Sequence, residues 1–277
     1  MESGIPMAVA SHLIRGRLNK GDASMRRIVG TVVATALLVS GRCSVMAAGP
    51  DAKKVIDKAI QALGGEAKLA ALEAKAIETK AKVKLRFAGL VSDFTTTTTT
   101  IGLHKFREEF KGNSEGTEVT GVTVLNGDKA WRQAADNTSK LQDNQVANQK
   151  RSAYLAIVPV LLLPLKTKDF QIESAREATV DNKPAVAVRF IGPDKQDLEL
   201  FFDKESGLPV KMFAKIVAFL GDQFLEETTF SKYKEFDGVK RATKIEHKRD
   251  GFTFMDVELT DLKVLDRVDP RTFAEPN

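Results

Sequence analysis

Apolar and polar side chains alternate with a period of two along residues 198–265. Leu198, Leu200 and Phe202 alternate with Glu199 and Asp203, and the next run repeats the pattern with Met212 and its neighbours. Asp-Gly pairs at 237–238 and 250–251 separate the later runs, and such pairs favour tight hairpin turns. This pattern predicts adjacent antiparallel strands with one apolar face and one face in water. The apolar face needs a cover, and the nature of that cover bears directly on function.

Two helices and further strands precede this region. Asp51 can cap a helix over residues 52–63, and Gly64-Gly65 separates it from a second helix over 66–74. Period-two runs then cover 77–87, 91–101, 105–110 and the hairpin 119–133, and they resume at 170–180 and 185–191. The second run contains six consecutive threonines, residues 95–100, which favour a strand with two mildly polar faces. The order predicted is two helices, about four strands, an apolar helical insertion and about seven strands.

The insertion differs from its surroundings. Residues 135–150 are polar and predict a loop that enters a helix, whereas residues 153–165 are the most apolar run after the N-terminal segment. This run is too short to span a bilayer, and Pro159 and Pro164 interrupt it. Two interpretations stay open: a mobile cover over the apolar sheet face, or an ordinary buried helix.

Most of the net charge lies near the N-terminus. The 277 residues carry a net charge of +5, and residues 1–47 account for +4 of it. The remainder is almost neutral, so the sequence predicts no nucleic-acid partner. Arg26-Arg27, the apolar run 28–39 and the small residues near Ala47 predict a signal peptide within residues 1–48, ahead of a single domain at 49–277. The alternative is a membrane anchor formed by the uncleaved segment.

The sequence predicts a protein that is not an enzyme. Cys43 follows Arg42 where a lipoprotein signal needs a small residue, and cleavage after Ala47 would leave no cysteine. We find no phosphate-binding loop, nucleophile elbow or zinc motif, and we expect neither a metal nor a cofactor. His104 and His247 lie on separate predicted strands, and His247 is interpreted as part of a solvated face. The acid pairs 108–109 and 226–227 are interpreted in the same way.

Three segments in this order resemble a known superfamily. They are a strand, an Asn-Gly-Asp turn and Trp131 in residues 124–131, then the Asp-Lys-Glu-Ser-Gly turn in 200–210, then the hairpin in 230–240, with Phe273 and Pro276 near the end. Over residues 51–277 the chain resembles the LolA-like outer-membrane lipoprotein-sorting proteins, the periplasmic lipoprotein carriers and their relatives.

The resemblance implies a mainly β (α+β) fold, in which a strongly curved antiparallel sheet forms an unclosed barrel with helices across its concave face. It implies an exported, periplasmic carrier that holds lipid or lipoprotein acyl chains in an apolar hollow, with membrane-bound donor and acceptor proteins as candidate partners. The alternative is a non-enzymatic structural or interaction domain of the same fold with a filled core. The residues expected to line the hollow are Trp131, Tyr154, Ile157, Leu161, Leu162, Leu163, Phe202, Met212, Val257 and Leu259.

Overall fold

A computed structural model describes residues 49–87, 89–114, 116–217 and 221–277. The predicted signal peptide, its cleavage site and Cys43 lie outside these described residues. The mainly β prediction is confirmed: the structure is one large antiparallel sheet, not closed into a barrel, with a few helices.

Three α-helices and two short 3₁₀ helices are described. Helix α1 (Ala52–Leu63) begins at Asp51, whose carboxylate accepts hydrogen bonds from the backbone N–H of Lys53 and Lys54 at 3.0 and 3.4 Å. The others are α2 (Glu66–Glu73), α3 (Asp143–Leu161) and the 3₁₀ helices Leu163–Lys166 and Pro270–Phe273. Both N-terminal helices agree with the prediction, but α3 begins within the stretch predicted as a loop.

The strands follow the period-two runs closely. They are β1 (Ala76–Phe87), β2 (Leu90–Ile101), β3 (Lys105–Ser114), β4 (Thr117–Asn126), β5 (Lys129–Ala134), β6 (Asn137–Lys140), β7 (Gln171–Val180), β8 (Lys183–Ile191), β9 (Asp197–Asp203), β10 (Pro209–Val217), β11 (Gln223–Phe236), β12 (Val239–Arg249) and β13 (Phe252–Leu265). The seven strands after α3 agree with the prediction. Six precede it rather than about four, because the hairpin at 119–133 holds two strands and β6 forms within the predicted loop.

All thirteen described strands belong to one sheet, in the order β6-β5-β4-β3-β2-β1-β13-β12-β11-β10-β9-β8-β7. The sheet is not closed into a barrel, and β6 and β7 are its two edges. Helix α3 connects these two edge strands in the chain. We call the face that packs against the three α-helices the inner face, and the opposite face the outer face.

The sheet is partly divided between β12 and β13. These strands pair only from Lys244 to Arg249, whereas β1 follows β13 as far as Leu265 and β11 follows β12 as far as Val239. Residues 239–243 therefore diverge from residues 259–265, and a cleft of about 270 Å³ beside α2 reaches Val239 on one side and Val264 on the other. We call β1–β6 with β13 the first half of the sheet, and β7–β12 the second half.

Candidate functional site

The helices fill the inner face of the second half. One buried cluster joins α1, α3 and strands β8 to β12, and its largest members are almost fully removed from solvent. The strand contribution includes Val188, Phe190, Leu198, Leu200, Phe202, Met212 and Ala214, and the helical contribution includes Ile56, Ile60, Leu63, Tyr154, Leu155, Val158 and Leu162. The apolar face identified from its alternation is thus covered by helices.

Nine of the ten residues expected to line the hollow lie on the helix-bearing side. Four of them, Tyr154, Leu162, Phe202 and Met212, share the main cluster, and Leu163 packs against it. Ile157 and Leu161 form a neighbouring cluster with Ile77 of β1. Val257 packs in a third cluster, and Leu259 pairs with Ala81 on the same face.

Trp131 lies on the outer face, so its predicted place in the hollow is wrong. Its β5 neighbour Ala130 faces α3, and alternation turns Trp131 to the other side. There it packs against Val124 and Phe273, which belongs to the C-terminal 3₁₀ helix. Asn126 donates to the backbone oxygen of Phe273 at 3.1 Å and holds this segment on the sheet.

The N-terminal part of α3 covers the first half of the sheet. Val146 and Ala153 pack against Phe106, Leu125 and Ala130, which lie on three adjacent strands. Helix α3 therefore contacts both halves of the sheet, and its apolar side chains hold it there.

A further apolar cluster on the inner face contains strand residues alone. Its buried members are Val83, Leu85, Phe94, Phe110 and Val119, with Phe254, Met255 and Val257 packed against them. The rings of Phe94 and Phe110 meet edge to face at 6.0 Å. Glycines make room for these rings: a Cβ at Gly112 would lie 2.3 Å from the ring of Phe94, and one at Gly121 would lie 2.4 Å from the ring of Phe110.

One polar cluster fastens α3 to the second half. The buried guanidinium of Arg151 donates to the Asp194 carboxylate at 2.8 Å, to the Lys215 carbonyl at 2.6 Å and to the Asp197 carbonyl at 3.0 Å. It also donates to the Tyr154 hydroxyl, which donates to Asp194 at 2.6 Å. Burial and the hydrogen bond to Asp194 raise the pKa of Tyr154, so its hydroxyl keeps its proton. We call Arg151, Tyr154 and Asp194 the Arg151 cluster.

Sequence reasoning named Tyr154 as a site residue but did not connect it with Arg151 or Asp194. The predicted loop ended at residue 150 and the predicted apolar run began at residue 153, so Arg151 belonged to neither. The available signal was the spacing of Arg151 and Tyr154, because residues three apart on a helix lie on one face. Asp194 lies about forty residues further along the chain, so the sequence alone could not identify it as the partner of Arg151 and Tyr154.

The predicted solvated position of His247 is also wrong. Its side chain is 18% exposed and its Nδ1 lies 3.2 Å from the carboxylate of Glu226, which also accepts from Arg249 at 3.1 Å. Burial would raise the pKa of Glu226, but the hydrogen bond from His247 and the charges of His247 and Arg249 outweigh it and lower that pKa. Glu226 faces inward because it pairs with Ala214 of the main cluster.

Two features were sought among the described residues and not found. Among them, no helix is both long and apolar enough to cross a membrane. No group of three or more His, Cys, Asp or Glu side chains within the same ranges is placed to hold a metal ion.

Comparisons with known proteins find similarity at the level of the fold. No protein-family model and no curated protein sequence matches the chain. A LolA superfamily protein from Nitrosomonas europaea superposes with a TM-score of 0.53 at 10% identity, over 81% of this chain and 97% of its own.

Two other solved structures are similar at lower scores. A domain named for outer membrane lipoprotein sorting, from Vibrio parahaemolyticus, has a TM-score of 0.48 at 10% identity, over 79% of this chain and 97% of its own. A DUF1329 family protein from Desulfovibrio piger has a TM-score of 0.48 at 11% identity, over 80% of this chain and 96% of its own. The superposition on the Nitrosomonas europaea protein shows that this chain has a LolA-like fold.

Proposed function

We propose that this chain is an exported, non-enzymatic carrier that holds the acyl chains of a lipid or lipoprotein between the inner face of the sheet and helix α3. The observation that carries the proposal is the placement of α3, which connects the two edge strands and packs on both halves of the inner face. The LolA-like fold supports it.

The contacts of α3 suit replacement by hydrocarbon. Apart from the Arg151 cluster, the buried side chains that join α3 to the sheet are apolar, among them Ile157, Leu161 and Leu162. An acyl chain would take over these contacts, because each buried methylene contributes about 0.8 kcal/mol regardless of its exact position. Pro159 lacks a backbone N–H, and Leu162 ends the helix at a positive φ of 57°. The C-terminal turn of α3 therefore depends on packing more than on its own hydrogen bonds.

A second candidate is a structural or interaction domain of the same fold. It is favoured by the dense packing of the main cluster, where Leu162, Leu200 and Phe190 have no measurable exposure. In that case α3 is fixed core and takes no part in ligand uptake.

A tethering experiment separates the two candidates. A cysteine pair placed where α3 meets β10, at a separation that a disulfide accepts, would lock the helix to the sheet. The chain from residue 49 onward contains no natural cysteine that could mispair. The oxidised protein should take up a fluorescent fatty acid far more slowly than the same protein after reduction. Equal rates in the two states would show that α3 need not move and would favour the filled core.

Two further measurements test the bound ligand and the export of the protein. Lipid extracted from the purified protein and identified by mass spectrometry would show whether acyl chains are carried. The intact mass of the exported protein should correspond to a start at Ala48 or Gly49. Retention of residues 25–47, or a lipid on Cys43, would instead support membrane anchoring.

A further inference from the structure

Polar side chains form one continuous row across five strands of the first half. Thr79 of β1 pairs with Thr98 of β2, Thr98 with Glu108 of β3, Glu108 with Thr123 of β4, and Thr123 with Arg132 of β5. Residues that pair directly across adjacent strands project from the same face. We call these five residues the polar row.

The polar row lies on the inner face, between two apolar regions. Each of its members stands two residues from an inward-facing neighbour: Ile77 precedes Thr79, and Phe106 precedes Glu108. These neighbours pack against α3. Two residues further on, Phe110 belongs to the cluster built from strands alone. The row therefore separates the region under α3 from the strand-only cluster.

The two charges of the polar row are coupled within the sheet. Glu108 and Arg132 are separated by one intervening strand, about 10 Å between backbones, so their long side chains can approach above Thr123. Burial raises the pKa of Glu108, and the positive charge of Arg132 opposes this shift. Burial lowers the pKa of Arg132, and Glu108 opposes that shift in turn. Because Glu108 and Arg132 have opposite formal charges, the row presents hydrogen-bonding groups while adding no formal net charge.

The threonine run supplies more hydroxyl groups to the same region. Alternation along β2 places Thr96, Thr98 and Thr100 on the inner face and Thr95, Thr97 and Thr99 on the outer face. Valine has almost the same shape as threonine and would bury more favourably beside hydrocarbon. A hollow that held only acyl chains would gain nothing from these hydroxyl groups, because a buried polar group without a partner costs free energy.

From this arrangement we propose that the polar row is a subsite for a neutral hydrogen-bonding group, such as an amide, ester or hydroxyl, carried by an acyl ligand whose chain lies on the strand-only cluster. This inference rests on the proposed carrier function and specifies its ligand. The charge compensation in the row favours a neutral group over a free carboxylate. The strand-only cluster supplies the apolar surface next to it, and its buried members include no helix residue.

The test compares ligands of equal chain length. Tetradecanamide, tetradecanoate and tetradecane would compete with a bound neutral fluorescent dye, N-phenyl-1-naphthylamine, on the chain from residue 49 onward. The native protein should bind the amide about three- to tenfold more tightly than the other two, as expected for one or two hydrogen bonds to neutral groups. Thr98→Val should remove this preference and leave tetradecane binding unchanged.

Two further variants sharpen the comparison. Thr97→Val makes the same chemical change one residue away on the outer face and should keep the preference. The double variant Glu108→Leu/Arg132→Met removes both charges together, so that neither is left buried alone, and should lose it. If the double variant fails to fold, as judged by circular dichroism, Thr98→Val and Thr97→Val still decide the question.

The outcomes distinguish this inference from the carrier function. Binding of dye and lipids without preference for the amide, or a preference that survives Thr98→Val, overturns the subsite and leaves the carrier intact. Failure of the native protein to bind the dye or any lipid overturns both.

Discussion

The Arg151 guanidinium on α3 lies 2.8 Å from the Asp194 carboxylate in the turn between β8 and β9. The Arg151 side chain is only 4% exposed, while that of Asp194 is 23% exposed. A helix that otherwise packs through apolar side chains is thus fixed in position by a charged pair that also binds two backbone carbonyls. Apolar packing alone would fix the position of α3 less precisely, because hydrogen bonds depend on direction and apolar contacts do not.

Replacing Asp194 by asparagine should destabilise the protein by about 1–3 kcal/mol. The change preserves the shape of the side chain but leaves a buried guanidinium without its negative partner. Urea denaturation would measure the loss. Lys195→Ala in the same turn removes an exposed side chain and should change the free energy of unfolding by less than about 0.5 kcal/mol. A similar small effect for both variants would show that the Arg151 cluster contributes little.

Met212→Asp should cost several kcal/mol or prevent folding, because it buries a carboxylate in the main apolar cluster. Lys211→Asp on the outer face is a poor control, because Lys211 lies 2.8 Å from Glu227 and the change would place two acids together. Lys215→Asp is the better control, since that side chain is exposed on the outer face. Urea denaturation of both variants would check the assignment of faces, and equal tolerance would contradict it.

Glu226 should make stability depend on pH in the acidic range. Folding lowers its pKa below the ordinary value of 4.5, so the ionised carboxylate stabilises the fold above about pH 4.5. This contribution is lost as the pH falls through the lowered pKa. Between pH 5 and 3 the native protein should lose more stability than Glu226→Gln, as followed by the urea midpoint. Glu235→Gln, at an exposed strand position, should follow the native curve. Parallel curves for all three proteins would show that Glu226 is not the source of the pH dependence.

Leu162→Ala should destabilise the empty protein by about 2–5 kcal/mol, since this side chain has no exposed surface. If acyl chains replace α3 as the partner of the sheet, the same variant should lose less stability when it is loaded with lipid. Thermal unfolding with and without fatty acid would measure both values. Leu163→Ala, at a half-buried position, provides a milder comparison. An identical loss in the empty and loaded proteins would indicate that Leu162 stays in place.

Trp131 should report on the C-terminal segment rather than on the hollow. It packs against Phe273 on the outer face, so Phe273→Ala should expose the indole and shift its fluorescence to longer wavelength. Lipid uptake should leave the emission maximum unchanged. Because Trp131 is the one tryptophan of the chain, the signal needs no deconvolution. A shift of the emission maximum to shorter wavelength on lipid binding would indicate that Trp131 lies at the ligand site.

The sheet was predictable from the sequence because its signals are local. Alternation through Leu198, Leu200 and Phe202 and the turn at Asp237-Gly238 act within a few residues, and the structure reproduces them. The start of α3 was missed because its first turns are polar. They are held by a hydrogen bond from the Gln142 N–H to the Gln145 side chain at 2.9 Å and by the single apolar contact of Val146.

The composition of the candidate site was less predictable because it depends on long-range contacts. Alternation places Trp131 and Ala130 on opposite faces of β5, but it does not say which of the two faces the helices. Trp131 packs against Phe273 on the outer face, a contact with a residue more than a hundred positions away. His247 has Lys244 and Lys248 nearby in sequence, which suggested a solvated face. Its partner Glu226 lies on the preceding strand and reverses that interpretation.

The pairing of β1 with β13 also determines how the chain can fold. The first six strands and strands β7 to β12 can each pair with sequence neighbours as they form, but β13 alone joins the two groups. Because β1 is the first and β13 the last of the described strands, this joint closes a loop that contains all the others, and closing a loop costs conformational entropy. Contacts of such large sequence separation slow folding. A chain truncated before β13 would have two separate sheets linked through α3, so completion of the fold depends on its last strand.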